Sequence, residues 1–396
     1  MKKTFCVLFI CILLFESCSS KKKKETNETD VLPLNIDLNQ SWNKKVEDFF
    51  NYDSFIYLEQ TDKSLISHIS KIEIHKGRIY ILDSNQACLV VFNSQGSFLY
   101  SIRTKGAGPK EYLYLNDFYI ENDGLFLYDG IQGKLLHYDL QANFIAKYDV
   151  PVGCNFTRLK NGNWLFYLGN GASKKGKSKM LLNNLLICNK QFEIIDEYLP
   201  INQYMTGRRY AMNIQNIFST YGEKLYILPL LSYYIYSYDE EKQQIIPQYK
   251  IIFKGQEDKF IDGNTSEENV QRYMSLLKKR EIATHLNSFY KVENILIFSF
   301  SCSLNGTTMC LFNEKSKKAE LCLFNKDANG IAFIPVEYKT DKKDSKILSI
   351  IKQGDFFKYK KNNPRNSLIK EIDEVIGSQE DSNPVLIFYT LKKTFN

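Results

Sequence analysis

Short apolar runs separated by polar turns fill most of the chain, and in one stretch the pattern repeats closely. Residues 79–100 read IYILDSNQACLVVFNSQGSFLY and residues 125–146 read LFLYDGIQGKLLHYDLQANFIA. At an offset of 46 residues, Asp83 falls on Asp129, Phe92 on Tyr138, Asn93 on Asp139 and Phe98 on Phe144. Each copy reads strand, turn, strand, turn, strand, and the preceding KIEIHK (71–76) and DFYIEN (117–122) add one strand to each. Four short strands in a unit of this length predict the blades of a β-propeller.

Weaker copies follow. Residues 163–167, 184–189 and 192–198 form a third unit, 224–228, 233–239 and 245–253 a fourth, and 294–300, 307–313 and 318–324 a fifth. Residues 333–336, 346–352, 356–360 and 384–391 supply the remaining strands. The expected fold class is all-β, a six-bladed β-propeller with four-stranded antiparallel blades. A ring leaves an open edge unless its first and last sheets join. The strands at 54–59 and 384–391 are therefore expected in one sheet, so that N- and C-terminal strands close the ring.

Two segments break the alternation. Thr265 with Glu268 forms a capping box, and Val270, Tyr273, Met274 and Leu277 follow at helical spacing. Leu368, Ile369, Ile372, Val375 and Ile376 repeat that spacing. Both predict short helical insertions packed on a rim.

Composition supports strands. The 26 Tyr and 27 Phe favour half-buried pleated surfaces, and 44% hydrophobic residues is too many for disorder. The net charge is +7, of which residues 31–396 hold +5, spread without a basic stripe, so nucleic acid is not an expected partner.

The N-terminus reads differently. Lys2 and Lys3 precede an unbroken apolar run from Phe5 to Phe15, the length of a secretory signal and too short to span a bilayer. With Ser17 before Cys18, the segment resembles a bacterial lipoprotein signal, in which the Cys is lipidated and becomes the new N-terminus. Phe15 and Glu16 depart from the usual Leu and small residue. The resemblance implies a lipid anchor on Cys18 and a membrane as partner through that lipid. Ser19 to Asp30, SSKKKKETNETD, cannot bury enough apolar surface to fold and reads as a flexible stalk. The expected domains are a signal peptide over 1–17, a lipid-anchored flexible tether over 18–45 and a propeller over 46–396. Basic rather than acidic residues after Cys18 favour the periplasmic side of the cell envelope.

One motif stands out between the first two units, RTKGAGPKEY at 103–112. Gly106 and Gly108 are expected to adopt backbone angles closed to other residues, and Pro109 fixes one more. Glu111 is then placed to cap the freed amides, making a rigid inter-blade crossing. A functional reading puts Arg103, Lys105 and Glu111 at the channel mouth as ligand contacts. The motif lacks a G-K-[ST] ending and leads into strands, so it is no phosphate loop. A strand, this stretch and a second blade together resemble the NHL-like six-bladed β-propeller lipoproteins common in gut-type anaerobic bacteria. The likeness covers roughly residues 50–392, with specific motifs only in 71–146. It implies a binding or scaffold domain rather than a known enzyme.

Catalytic signatures are sparse. The four histidines, His68, His75, His137 and His285, form no H-x-x-x-H or H-E-x-x-H, and there is no G-x-S-x-G. His137 reads as a satisfied strand histidine. Asp83 and Asp129 are expected to bond the turn that follows them; repeated around an axis, such carboxylates are also how a cation would be held, as in Ca²⁺-dependent propeller lactonases. Six cysteines follow Cys18, with no C-x-x-C among them. A two-residue turn at Asn305-Gly306 would pair Cys302 with Met309 and turn Cys310 to the other face, so free, partly buried thiols are expected. The insert Gly171 to Lys179 and the pair Arg208-Arg209 are candidate basic contacts for an anionic ligand, and also read as solvated loops. The expected function is a non-enzymatic binding or scaffold module without cofactor, holding a protein, peptide or glycan. The competing readings are a cation-dependent lactonase- or lyase-like enzyme and a subunit of an envelope assembly.

Overall fold

After β1 (Leu32–Ile36), α1 (Val46–Phe49) and β2 (Phe50–Tyr57), the first blade folds as the meander β3 (Lys71–His75), β4 (Arg78–Asp83), β5 (Cys88–Asn93) and β6 (Phe98–Ile102). Lys76 and Gly77 join β3 to β4 with φ of 47° and 71°, the two-residue turn whose twist matches a hairpin. The β5–β6 turn is held by Asn93, whose Oδ1 accepts from the amides of Gln95 and Ser97, each at 2.9 Å. The same Asx turn recurs at Asp139, Asn189, Asp239 and Asn313. The computed structural model describes residues 31–40, 44–122, 124–170, 173–174, 180–205, 217–230, 232–256, 264–279, 281–302, 306–323, 335–336, 338–340, 346–362, 364–376 and 383–393.

The second blade is β7 (Asp117–Glu121), β8 (Gly124–Asp129), β9 (Lys134–Asp139) and β10 (Phe144–Asp149). The third is β11 (Asn155–Arg158), β12 (Trp164–Tyr167), β15 (Asn183–Cys188) and β16 (Ile194–Pro200), with a small hairpin of β13 (Ser173–Lys174) and β14 (Met180–Leu181) inserted. The fourth is β17 (Phe218–Tyr221), β18 (Lys224–Ile227), β19 (Tyr234–Asp239) and β20 (Gln244–Phe253). Helix α2 (Glu267–Lys279) leads to the fifth blade, β21 (Thr284–Val292), β22 (Ile295–Cys302), β23 (Gly306–Asn313) and β24 (Lys318–Leu323). Then come β25 (Pro335–Val336), β26 (Tyr338–Thr340), β27 (Lys346–Ile351), α3 (Gln353–Asn362), α4 (Ser367–Ile376) and β28 (Val385–Leu391). The sixth blade is ordered β25-β27-β28-β2, so the outermost strand comes from the N-terminal side.

Blades bury their faces on one another, and six apolar clusters map one to one onto six interfaces. Leu82 and Val91 meet Phe118 and Leu136 between the first and second blades. Tyr128 and Leu135 meet Phe156 and Leu186 in the next interface, and Leu165 and Ile187 meet Ile227 and Ile245 in the third. Ile235 and Tyr249 pack on Leu296 and Phe312, and Ile295 and Leu311 on Ile347 and Ile387. Leu348 and Leu386 return to Ile72 and Val90 of the first blade, completing the six-bladed ring. The expected closing pair is present: β2 runs antiparallel to β28 from Phe50↔Leu391 to Tyr57↔Val385. A second tie joins the same two blades, since β26 pairs in parallel with the inner edge of β3, Tyr338 opposite Ile72.

Several expectations are corrected. The span assigned to the tether contains β1, which pairs in parallel with the outer edge of β20 and buries Leu34 and Ile36 between the fourth and fifth blades. Lys44 then bridges Cys322 on the fifth blade. Residues 356–360 are helical within α3, not a strand. There the amides of Asp355 and Phe356 both return to Lys352 O at 3.0 Å, and Phe356 is buried while Lys358, Lys360 and Lys361 stay in water. Helix α2 is entered one residue later than the capping box implied, with Ser266 Oγ accepting from the Asn269 amide at 3.4 Å. The β22–β23 pair begins at Cys302↔Gly306 and sets Cys310 opposite Phe298, so Gly306 belongs to the strand and not to a two-residue turn with Asn305. The expected free thiols are found at the buried Cys88 and Cys310; Cys188 and Cys322 are also buried and Cys154 is half-buried.

Candidate functional site

Strand direction alternates within each blade. The turns between first and second strands and between third and fourth therefore emerge on one face. The connections between second and third strands, and the crossings between blades, emerge on the other. On the hairpin face, neighbouring turns are tied to each other. His75 Nε2 meets Asn122 O at 3.0 Å, Arg158 pairs with Glu121, Lys160 pairs with Glu223 at 2.8 Å, and the Glu293 amide donates to Tyr221 Oη at 2.9 Å. The crossing face carries the insertions: the β13–β14 hairpin, α2 with its own cluster of Met205, Val270, Tyr273 and Ile282, and the α3–α4 pair. Loops on a rigid frame are where binding groups gather.

The crossings into the first and second blades are each built around a buried carboxylate. Asp83 ends β4 and accepts from the amides of Ser67 (2.7 Å), His68 (3.1 Å) and Gln86 (3.0 Å). Burial works against its ionisation, but those amides hold the carboxyl below the usual carboxylate range. Asp129 ends β8 and accepts from Leu113 (2.9 Å), Tyr114 (3.2 Å) and Gln132 (3.1 Å), each 46 residues on. The pair bonds the turn that follows, as expected, and also fixes the crossing that precedes it.

The RTKGAGPKEY loop is a pin between blades. Buried Tyr112 donates to Ala87 O (2.8 Å) and Ile102 O (3.0 Å), and Glu111 Oε2 accepts from the Gly108 amide at 2.7 Å. Neither Gly106 nor Gly108 has positive φ, so the expected reason for these glycines is corrected. Space is what they provide: a Cβ on Gly106 would stand 2.1 Å from Glu111 Oε2, and one on Gly108 2.9 Å. Arg103 spans the Gln86 side chain (3.0 Å) and the carbonyls of Lys63 and Leu65 (both 3.2 Å), with its charge facing neutral oxygens. Lys105 pairs by backbone with Tyr112 and its side chain is exposed. The structure thus brings Arg103, Lys105 and Glu111 onto one loop of the crossing face. Cys18, Arg208, Arg209 and residues 171–172 and 175–179 of the basic insert lie outside the described residues.

A polar cluster near the axis was not expected from the sequence. Lys71 on β3 sits 3.1 Å from Glu73 Oε1 and 2.8 Å from Asp117 Oδ1 of β7. Asp117 also accepts from Phe118 N (2.8 Å), Phe156 N (3.0 Å) and Asn155 Nδ2 (3.3 Å). Burial alone would lower the Lys71 pKa, but the two carboxylates hold it above its ordinary value. Burial and then the nearby Glu73 push the Tyr119 phenol up to about 12. A signal existed: Lys71 and Asp117 occupy the same position of the repeat with opposite charges. Among the described residues, no group of three or more His, Cys, Asp or Glu is placed to hold a metal ion. Between Glu73 and Asp117, the cation position is taken by the Lys71 ammonium. His137 stacks on Phe126 with centroids 4.2 Å apart, and burial lowers its pKa.

The family described as "Domain of unknown function (DUF4934)" matches residues 30–390. The chain belongs to this family. The DUF4934 span begins just ahead of β1, in keeping with that strand's place in the folded body. Among solved structures, the chain is similar to a Bacteroides fragilis protein inferred to be exported, with TM-score 0.73 and 19% identity over 91% of this chain and 100% of that one. Fainter likenesses are a duf4221 family member from Bacteroides vulgatus (TM-score 0.42, 10% identity, 87% and 97% covered) and virginiamycin B lyase from Staphylococcus aureus (TM-score 0.41, 10% identity, 87% and 100% covered). A search of curated protein sequences finds no match.

Proposed function

We propose that this chain is an exported, lipid-anchored propeller of the cell envelope that binds or scaffolds a partner and is not an enzyme. The observation that carries the reading is the contrast between the faces. The hairpin face is short turns tied blade to blade, whereas the crossing face carries the insertions and a rigid loop with exposed cations. The axial acids speak for structure: Lys71 already pairs with both Glu73 and Asp117 and fills the cation position between them. Export is supported by the lysine-led apolar run at residues 5–15 and by the fold shared with the Bacteroides fragilis protein. Anchoring rests on Cys18 following Ser17, and the basic run Lys21 to Lys24 favours the periplasmic side.

Palmitate labelling of cells expressing the full chain tests the anchor. Wild type should incorporate label and Cys18→Ala should not; labelling of the variant would contradict it. A photo-crosslinking residue at Lys105, on the crossing face, should capture a protein partner that one at Lys190, on the hairpin face, does not. Equal capture from both faces would remove the basis for a one-sided binding module.

A further inference from the structure

Loop tips on the crossing face of the first two blades combine exposed apolar side chains with unpaired cations. Leu65 is 45% exposed, Leu113 37%, Tyr114 49% and Ile131 40%. Lys63, Arg103 and Lys105 are exposed among them and form no ion pair among the described residues, whereas Lys110 reaches away, its ammonium over the Phe144 ring at 5.5 Å. The acids of these loops are Glu59, Asp62 and Glu111; Glu59 Oε2 accepts from the Phe98 amide at 2.7 Å and Glu111 is bonded to the Gly108 amide.

These side chains are projected by a fixed backbone. The amides of Leu113 and Tyr114 are both held by buried Asp129, whose other oxygen holds the turn containing Ile131. The carbonyl of Leu65 accepts from Arg103 and from Gln86 Nε2 at 3.0 Å. Tyr112 then clamps the two groups together through Ala87 and Ile102. The first blade has the same frame one repeat earlier, with Ser67 and His68 where the second has Leu113 and Tyr114. The fold therefore does not require apolar residues at these two positions.

We propose that this patch docks on the surface of an anionic phospholipid bilayer. Cations supply attraction to phosphate head groups at about 1 kcal/mol each near the surface. A tyrosine and aliphatic side chains at loop tips suit the boundary between head groups and acyl chains. The envelope reading determines only where such a bilayer would be met. The docking surface itself is separable from the lipid on Cys18.

The test uses residues 31–396, which hold all six inter-blade cores and form one compact unit. That chain lacks both Cys18 and the Lys21 to Lys24 run, so failure of the anchor and failure of the patch are read separately. It should sediment with vesicles of phosphatidylglycerol mixed with phosphatidylcholine and not with phosphatidylcholine alone. Lys105→Glu should weaken binding about fivefold or more, following from roughly 1 kcal/mol per charge. Leu113→Asp with Tyr114→Asp should weaken it further while leaving the thermal midpoint unchanged. Lys190→Glu on the opposite face should have no effect. Absence of wild-type binding at low salt, or equal losses from Lys105→Glu and Lys190→Glu, overturns the proposal.

Discussion

Lys71 shows what a single side chain does here. Its side chain, 13% exposed, carries the counter-charge for two nearly buried carboxylates, one on its own blade and one on the next. Lys71→Met should cost about 3–5 kcal/mol, because removing one partner of a buried ion pair strands the other. Urea unfolding would check this, and a loss under 1 kcal/mol would contradict it. Since the Lys71 pKa is raised in the fold, its contribution is full below the unfolded value near 10.4 and fades only as pH climbs through the folded value. The Lys71 ammonium itself therefore adds no pH dependence across neutral pH, and the deficit should shrink only as falling pH protonates the stranded acids, of which Asp117 already has its pKa raised by burial. Gly106 is a different case, since the three atoms nearest to where its Cβ would go all belong to the Glu111 carboxylate. Gly106→Ala should displace that carboxylate from the Gly108 amide and cost about 1 kcal/mol. In a Glu111→Ala background the same change should cost nothing further. A penalty that survives there would point back to backbone strain.

At the scale of elements, the repeat was legible where its turns are. Asn93 and Asp139 hold identical Asx turns, which kept the first two blades in a 46-residue register. The inner strands β11 and β17 were missed because they are four residues long, and β21 opens beside a segment without alternation. The axial cluster was hidden because it joins residues of different blades, and only ring closure brings them together. In β1, Leu32, Leu34 and Ile36 alternate as a strand should, but Pro33, Asn35 and the polar stalk before them outweigh that signal in the sequence. Removing residues 31–37 should cost several kcal/mol, since burial of Leu34 and Ile36 is lost, at roughly 2–5 kcal/mol for each core aliphatic truncated to Ala. A change within about 0.5 kcal/mol, the range of a surface deletion, would return the segment to the tether. Among the described residues no strand pairs with the outer edge of the first three blades, and each of those outer strands carries a bulge, as the covered β20 also does. The skipped residues Leu99, Ile145 and Ile195 are the exposed ones. A bulge disrupts the ladder at an open edge and so blunts pairing with another chain.

At the scale of the molecule, the first and last blades are joined twice, by β2 on β28 at the outer side and by β26 on β3 at the inner side. The N-terminal segment also lies along the fourth and fifth blades before completing the sixth, so both ends of the domain hold the ring. A closed ring gives the crossing-face loops a common rigid frame, on which a one-sided binding surface depends. The direct test is a cross-link between the closing strands. Asn51 lies opposite Thr390 in the register, and opposed residues in antiparallel strands stand about 4.5–5.5 Å apart at Cα, within disulfide reach. Asn51→Cys with Thr390→Cys should form an intramolecular disulfide in the monomer, found by peptide mapping as a link between those positions. Recovery of the two thiols only as free cysteines or intermolecular links, in protein that is otherwise folded, would contradict the closed ring.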